Sequence, residues 1–95
     1  MTKISALVSL RKVLLQMEQD LGLKELAPSE TDVLYAAHDS ADQNDLVTTR
    51  QIQSHKLAQE MPRASFFRAL SALEEAGELK RPEQGGRGLF KVRKV

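Results

Sequence analysis

The last third of the chain reads Pro62-Arg-Ala-Ser-Phe-Phe-Arg-Ala-Leu-Ser-Ala-Leu-Glu-Glu-Ala-Gly77-Glu-Leu-Lys-Arg-Pro-Glu-Gln-Gly85-Gly-Arg-Gly-Leu-Phe-Lys-Val-Arg-Lys-Val95. Apolar residues recur every three or four positions, at Phe66, Ala69, Leu70, Leu73 and Ala76. This spacing puts them on one face of a helix. Proline is favoured in a first helical turn, and glycine just after a last turn, because glycine adopts the left-handed conformation without steric cost. The stretch therefore predicts a helix from Pro62 to Ala76 that ends at Gly77.

Two short strand-like runs follow this helix, and the glycine-rich turn Gly85–Gly88 separates them. The alternation of side chains predicts strands at about Glu78–Arg81 and Leu89–Lys94, with Phe90 and Val92 facing inward. We therefore expect a helix followed by a β-hairpin that carries several basic residues.

Upstream of this region, the pattern predicts a helix from about Ser29 to Ala37, in which Ser29 and Asp32 form a capping-box-like pair. Val33, Leu34 and Ala37 give this helix its buried face. Residues 39–45 form a polar loop that is rich in turn-forming side chains.

The next segment predicts a short strand at Leu46–Val47 and then a helix that reaches about His55. Either Thr48 or Thr49 can cap this helix, since threonine oxygens accept hydrogen bonds from the first free amides. Its core residue is Ile52. An extended turn then leads to Pro62, and we expect its apolar residues Leu57 and Met61 to anchor it.

The first element is a long predicted helix, from about Thr2 to Leu21, with an apolar seam at three-four spacing that resembles a coiled coil. Ile4, Val8 and Leu15 widen this stripe, which must be buried against something. One alternative is packing on its own domain, and the other is contact with a second subunit. We favour the second, because a small domain offers little surface for so long a helix. The predicted dimerisation residues are Ile4, Leu7, Leu10, Leu14, Met17 and Leu21.

Four segments together resemble the winged helix-turn-helix domain of MarR-type bacterial transcription regulators. They are Val47-Thr-Thr-Arg-Gln-Ile52, Arg63-Ala-Ser-Phe-Phe-Arg68, Leu73-Glu-Glu-Ala-Gly-Glu-Leu79 and Gly85-Gly-Arg-Gly-Leu-Phe90. The third segment together with the basic glycine-rich wing is the most specific part of the match. Leu26-Ala-Pro-Ser-Glu-Thr-Asp-Val-Leu34 also resembles the start of the helix that precedes the motif, so the likeness covers about residues 26–95.

The resemblance implies an α+β fold, mostly α: a winged helix-turn-helix with a long N-terminal helix and a two- to three-stranded β-wing. Residues 1–95 would form one domain, with the N-terminal helix in 1–22 and the winged core in 28–95. The chain departs from the family pattern in its longer turn around 55–61. It also ends after the wing, where these regulators usually continue into helices that frame an effector pocket, so no effector is assigned.

Charge is divided unevenly along the chain, although the net charge is only +1. Residues 1–45 carry four basic groups against eight acids, whereas residues 46–95 carry ten against five. Such asymmetry points to nucleic-acid contact by the basic half. An uneven solvated surface is the simpler alternative, and the winged-helix pattern favours contact.

Candidate DNA-binding residues in the second helix of the motif are Arg63, Ala64, Ser65, Phe67 and Arg68. Short and basic side chains at a helix N-terminus suit the edges of bases and the phosphates. The resemblance implies a phosphate-binding role for Arg68. Phe67 has two equal interpretations, contact with a thymine methyl group or packing in the core beside Phe66.

The remaining candidates lie on the hairpin and at the start of the first motif helix. Arg87, at the tip of the wing, would enter the minor groove or remain solvated, and the family context favours contact. The candidates for phosphate contact are Lys80, Arg81, Lys91, Arg93, Thr49 and Arg50.

Other chemistry is not indicated. The chain has no cysteine, and its two histidines, His38 and His55, lack metal-site spacing. Asp39, Asp42 and Asp45 lack the rhythm of a calcium loop. We therefore expect no enzyme, no metal and no cofactor. No signal peptide or membrane-spanning run is apparent, and we expect a cytoplasmic protein without a membrane partner.

The sequence thus predicts sequence-specific binding of double-stranded DNA by a dimeric transcriptional regulator, with a helix in the major groove and the wing on the minor groove or backbone. A winged domain that binds a protein instead of DNA is the main alternative. A role in replication or plasmid maintenance would use the same chemistry.

Overall fold

The computed structural model describes residues 2–83 and 85–93. Its elements, in chain order, are α1 (Lys3–Asp20), a 3-10 turn (Leu23–Glu25), α2 (Pro28–Ser40), β1 (Leu46–Thr48), α3 (Thr49–Ser54), α4 (Arg63–Glu75), β2 (Leu79–Lys80) and β3 (Leu89–Val92). The prediction of an α+β fold that is mostly helical is confirmed, as is a small antiparallel sheet. The last strand was predicted to reach Lys94, but β3 ends at Val92 and Arg93 is outside it. Lys94 lies outside the described residues.

The three strands form one antiparallel sheet in the order β1-β3-β2. Val47 faces Phe90 across β1 and β3, and Leu79 faces Val92 across β2 and β3. Directly opposed side chains project from the same side of a sheet, so these four residues form its inner face. All four are buried, which confirms that Phe90 and Val92 face inward.

A single core lies between this inner face and helices α2, α3 and α4. The largest completely buried side chains include Phe66, Leu73 and Ile52 from the helices and Phe90 from the sheet. The helical periodicity of α4 therefore gives its buried face, as predicted. Ala76, which was predicted to lie on this face, is instead exposed at the C-terminal cap of α4.

The end of α4 is a complete Schellman motif. Gly77 has a φ of 79°, its N–H donates to the carbonyl of Glu74, and the N–H of Glu78 donates to that of Leu73. These bonds satisfy carbonyls that the helix itself leaves free. Pro62 is the cap that precedes α4 rather than its first residue.

The start of α2 differs from the prediction. The helix begins at Pro28, whose fixed φ suits a first helical position. Glu30 accepts a hydrogen bond from the N–H of Ala27 at 3.2 Å. The predicted capping pair of Ser29 with Asp32 was wrong, since both lie inside the helix, which also continues to Ser40.

Of the two threonines that could cap α3, Thr48 is the capping residue. Thr48 accepts a hydrogen bond from the N–H of Gln51 at 3.1 Å, while Gln51 accepts one from the N–H of Thr48 at 2.8 Å. This reciprocal capping box fixes the point where β1 ends and α3 begins.

The turn between α3 and α4 is long, as predicted, but its anchors differ. Met61 packs against the core, whereas Leu57 is 46% exposed and its predicted anchoring role was wrong. The carbonyl of His55 accepts from the N–H groups of Ala58 and Gln59. These bonds wind the segment into turns that direct Ala58, instead of Leu57, into the core.

Helix α1 contributes no buried residue and packs on the 3-10 turn that follows it. Near its C-terminal end, Glu18 accepts a hydrogen bond from the hydroxyl of Tyr35 on α2. Burial and this hydrogen bond raise the pKa of Tyr35 to about 12. Most of the apolar stripe of α1 is exposed in this chain.

Candidate nucleic-acid interface

The face of α4 opposite the core carries mostly small or uncharged side chains. Ala64, Phe67, Arg68 and Ser71 are exposed along it. They recur every three or four residues, so they lie on one side of the helix. The backbone of α4 can approach another molecule closely at Ala64 and Ser71, because both side chains are short.

Phe67 lies at this surface and not in the core. It is 39% exposed, and its ring meets the buried ring of Phe66 edge-on, with centroids 5.2 Å apart. The guanidinium of Arg63 lies 5.4 Å from the centre of the Phe67 ring. Of the two sequence interpretations, packing inside the core was wrong, because the helix turns Phe67 about 100° away from Phe66.

An open groove of about 360 Å³ separates α4 from the β2–β3 loop. The loop comprises residues 81–88, of which 81–83 and 85–88 are described. The residues that line the groove include Thr49, Phe67, Ser71, Glu74, Arg81 and Arg87. The fold thus brings together a helix face and a glycine-rich loop that are separate in the sequence.

Arg81 forms one wall of the groove. Its guanidinium donates two hydrogen bonds to the carboxylate of Glu74, each 3.1 Å long, and stacks 5.1 Å from the ring centre of Phe90. A bidentate pair of this kind holds both partners in fixed orientation. Arg81 therefore has a structural role in joining β2 to α4, besides the phosphate contact that the sequence suggested.

Thr49 joins the start of α3 to the β2–β3 loop. Its N–H donates to the carbonyl of Gly88 at 2.7 Å, and its hydroxyl donates to the same oxygen at 3.2 Å. Both donors are thereby engaged within the protein, so Thr49 positions the loop and does not present them to a phosphate. Its neighbour Arg50 is exposed.

The predicted lysines lie on the other side of the sheet. Lys80 faces Lys91 directly across β2 and β3, and both are exposed on the face opposite Leu79 and Val92. The sequence prediction made them candidates for phosphate contact beside the wing. Strand alternation instead separates them from the groove.

Arg93 lies away from the groove as well. Its guanidinium is 3.3 Å from the carboxylate of the buried Glu78. It lines a different, largely apolar cavity of about 180 Å³, beside Leu21, Leu23 and Tyr35. The prediction that Arg93 contacts DNA is therefore not supported by its position.

Ser65 and Arg68 border a third region, beside the start of α2. Ser65 is half-buried and lies near Ser29 and Glu30. Arg68 lies between this flank and the exposed face of α4, and its Nε donates to the carbonyl of Ala64 at 3.3 Å. Ser65 thus faces the flank, whereas Arg68 reaches both surfaces.

Arg63 and Arg68 lie on α4, and Arg81 and Arg87 line the groove. A fifth arginine, Arg50, is exposed near the start of α3. Arginine presents a rigid planar fork of donors that matches guanine edges and phosphates in a bidentate way, whereas lysine is a compact point charge on a flexible stem. Two acids lie among them, the paired Glu74 and the exposed Glu75.

Sequence reasoning missed Ser71 and Glu74. Ser71 follows Phe67 by one helical turn, so a longer projection of the α4 face would have found it. The pairing of Glu74 with Arg81 has no comparable local signal, because it depends on where β2 lies relative to α4.

His55 and Asp39 are paired with each other. The Nδ1 of His55 accepts from the N–H of Leu57, while its Nε2 lies 2.7 Å from the carboxylate of Asp39. Over residues 2–83 and 85–93, side chains suited to a metal do not gather in groups of three or more. Within the same residues, every helix is too short or too polar to traverse a bilayer.

Comparison of the chain with family models, with curated proteins and with solved structures found no match in any of the three.

Proposed function

We propose that the chain is a winged helix-turn-helix domain that binds double-stranded DNA. The order of elements supports this proposal, since α2, β1, α3 and α4 precede a hairpin whose second strand pairs with β1. On this proposal, α3 and α4 are the helix-turn-helix, α4 is the recognition helix, and the β2–β3 loop is the wing.

One observation carries the proposal: the exposed face of α4 has small side chains at its centre and arginines at its edge. The major groove is about 12 Å wide and admits a helix. Ala64 and Ser71 allow close approach to the bases. Arg63 would read a guanine or grip a phosphate, and Arg68 would bind the backbone beside it.

The wing extends the same surface. Arg87 borders the groove next to α4, and from there it reaches the minor groove or the adjoining phosphates, where arginine is favoured by the negative potential. Phe67 would contact a thymine methyl group across the exposed part of its ring. Arg50 would bind a phosphate from the start of α3.

Transcriptional regulation in the cytoplasm is the role that the resemblance to MarR-type proteins suggests. A role in replication or plasmid maintenance would require the same surface.

A protein-binding domain is the second candidate, and the exposed apolar face of α1 favours it. Leu7, Leu10 and Met17 are each more than half exposed, and such a face calls for a protein partner. On this alternative α1 is the working surface, and the arginines around α4 are a solvated patch.

Fluorescence anisotropy with a labelled mixed-sequence duplex, measured across a salt series, tests the proposal. The logarithm of the binding constant should fall with the logarithm of salt concentration, by about 0.9 for each phosphate contact. Arg81 is already paired with Glu74, so the other four arginines would supply the phosphate contacts and give a slope of about −4. No binding at low salt would overturn the proposal and favour the protein-binding alternative.

Two variants separate reading of bases from contact with phosphates. Arg63→Ala should weaken binding at one or two base positions by about 1–3 kcal/mol. Arg87→Ala should weaken binding of all sequences alike and reduce the salt slope by about 1. Lys12→Ala, which removes an exposed charge from α1, is the control and should leave affinity and slope unchanged.

A further inference from the structure

Helix α1 carries an apolar seam that this protomer leaves uncovered. Exposure along it ranges from 38% at Leu14 to 66% at Leu10, with Leu7 at 62%, Met17 at 55% and Leu21 at 49%. An exposed stripe of this kind along five turns of helix is unusual for a monomer.

We propose that α1 pairs with α1 of a second copy of this chain, and that the two helices run antiparallel. Leu7, Leu14 and Leu21 take one core position of a heptad, while Leu10 and Met17 take the other. A helix with this repeat is complementary to a copy of itself, because each apolar knob fits between four residues of the facing helix. The inference does not depend on DNA binding.

Charge decides the orientation. In a parallel pair, Lys3 continues the seam and meets the partner's Lys3, which places two like charges at the contact. In an antiparallel pair, Leu10 packs against the partner's Leu21 and Leu14 against the partner's Met17. Arg11 then lies alongside the partner's Glu18, so opposite charges flank the seam. Glu18 also accepts a hydrogen bond from Tyr35 of its own chain, so the contact with Arg11 would share its carboxylate.

The same register accounts for the apolar cavity beside α1. The first turns of each helix extend past the paired segment, and Leu7 reaches the level of the partner's Leu23. Leu23 lines the cavity of about 180 Å³ together with Leu21 and Leu34. In this arrangement the N-terminal part of the seam of one chain packs against the cavity of the other, so each apolar surface covers the other.

The chain contains no cysteine, so introduced cysteines report orientation without interference. In the antiparallel register, positions 10 and 21 face each other, whereas in a parallel pair they lie about 16 Å apart along the axis. A disulfide requires Cα atoms closer than about 7 Å. An equimolar mixture of Leu10→Cys and Leu21→Cys chains, oxidised and analysed by mass spectrometry, should therefore yield the mixed dimer. Efficient crosslinking of Leu10→Cys to itself would instead establish the parallel pair and overturn the proposal.

The existence of the dimer is tested by light scattering after size-exclusion chromatography. The unmodified chain should have twice the monomer mass at micromolar concentration, and Leu10→Glu should convert it to a monomer with an unchanged circular dichroism spectrum. Ser9→Glu adds the same charge on the polar side of α1 and should remain a dimer. A monomeric unmodified chain, or a dimer that survives Leu10→Glu, would overturn the proposal.

If both proposals hold, the two-fold axis of the α1 pair would relate two DNA-binding surfaces. A palindromic site would then be preferred over a single half-site. A dimer that fails to bind any duplex would refute the proposed function and leave the α1 pairing intact.

Discussion

Gly88 is the residue through which the β2–β3 loop meets α3, and its replacement by alanine tests how the loop is held. Its φ is 79°, a left-handed conformation that costs residues with a Cβ about 1–2 kcal/mol. An added Cβ would also lie 3.2 Å from the hydroxyl oxygen of Thr49. The carbonyl of Gly88 accepts both hydrogen bonds from Thr49, so a shift of the loop would weaken these bonds as well.

We therefore expect Gly88→Ala to lower the free energy of unfolding by about 1–3 kcal/mol, the backbone cost plus part of one hydrogen bond. A domain of this size has a total stability of about 5–14 kcal/mol. The melting temperature should fall by about 5–15 °C. Urea denaturation followed by circular dichroism measures the change directly.

Gly86→Ala is the matched control in the same loop. Nothing lies within 4 Å of a Cβ at this position, and Gly86 does not have a positive φ. Its stability should remain within about 0.5 kcal/mol of the unmodified chain, as for other surface changes. Equal stability of the two variants would refute the reasoning that Thr49 and the left-handed backbone at Gly88 hold the loop.

Three further changes probe the core, a helix cap and the half-buried hydroxyl of Tyr35. Phe66→Ala should destabilise the domain by about 3–5 kcal/mol in urea denaturation, because it empties the centre of a fully packed core. Thr48→Ala should cost about 1 kcal/mol in the same assay, since it removes the capping oxygen of α3. Absorbance at 295 nm should show the only tyrosine, Tyr35, titrating near pH 12. Glu18→Gln should lower the pKa of Tyr35, although burial of the hydroxyl should still hold that pKa above 10. Because the pKa is higher in the folded state, this group's contribution to stability is complete below pH 10 and is lost as pH rises from 10 towards 12.

Local features of the fold were predictable because they depend on neighbours within one helical turn. The spacing of Phe66, Leu70 and Leu73 defined the buried face of α4, and Gly77 marked its end. Predictions of caps were less certain. Ser29 resembled a helix cap, but Pro28 and the hydrogen bond from the N–H of Ala27 to Glu30 start the helix earlier.

The candidate site was predictable in composition but not in arrangement. The sequence identified Arg63, Arg68 and Arg87 as candidates, and these residues do border the exposed face of α4 or the adjacent groove. It also assigned Arg93 to the same surface, although Glu78 holds that residue beside another cavity. The sequence around a basic residue does not indicate which acidic residue will pair with it in the folded chain.

By itself the sequence determined the helical repeat of α1, the amphipathic face of α4 and the surplus of basic residues after position 45. These properties depend on spacing and composition, which need no folding to exist. Tertiary structure alone decided that Lys80 and Lys91 leave the groove, that Arg81 binds Glu74, and that Thr49 meets Gly88 from 39 residues away. The physical reason is that strand register and helix packing determine which side of the domain each side chain faces, and both arise only when distant segments pack together.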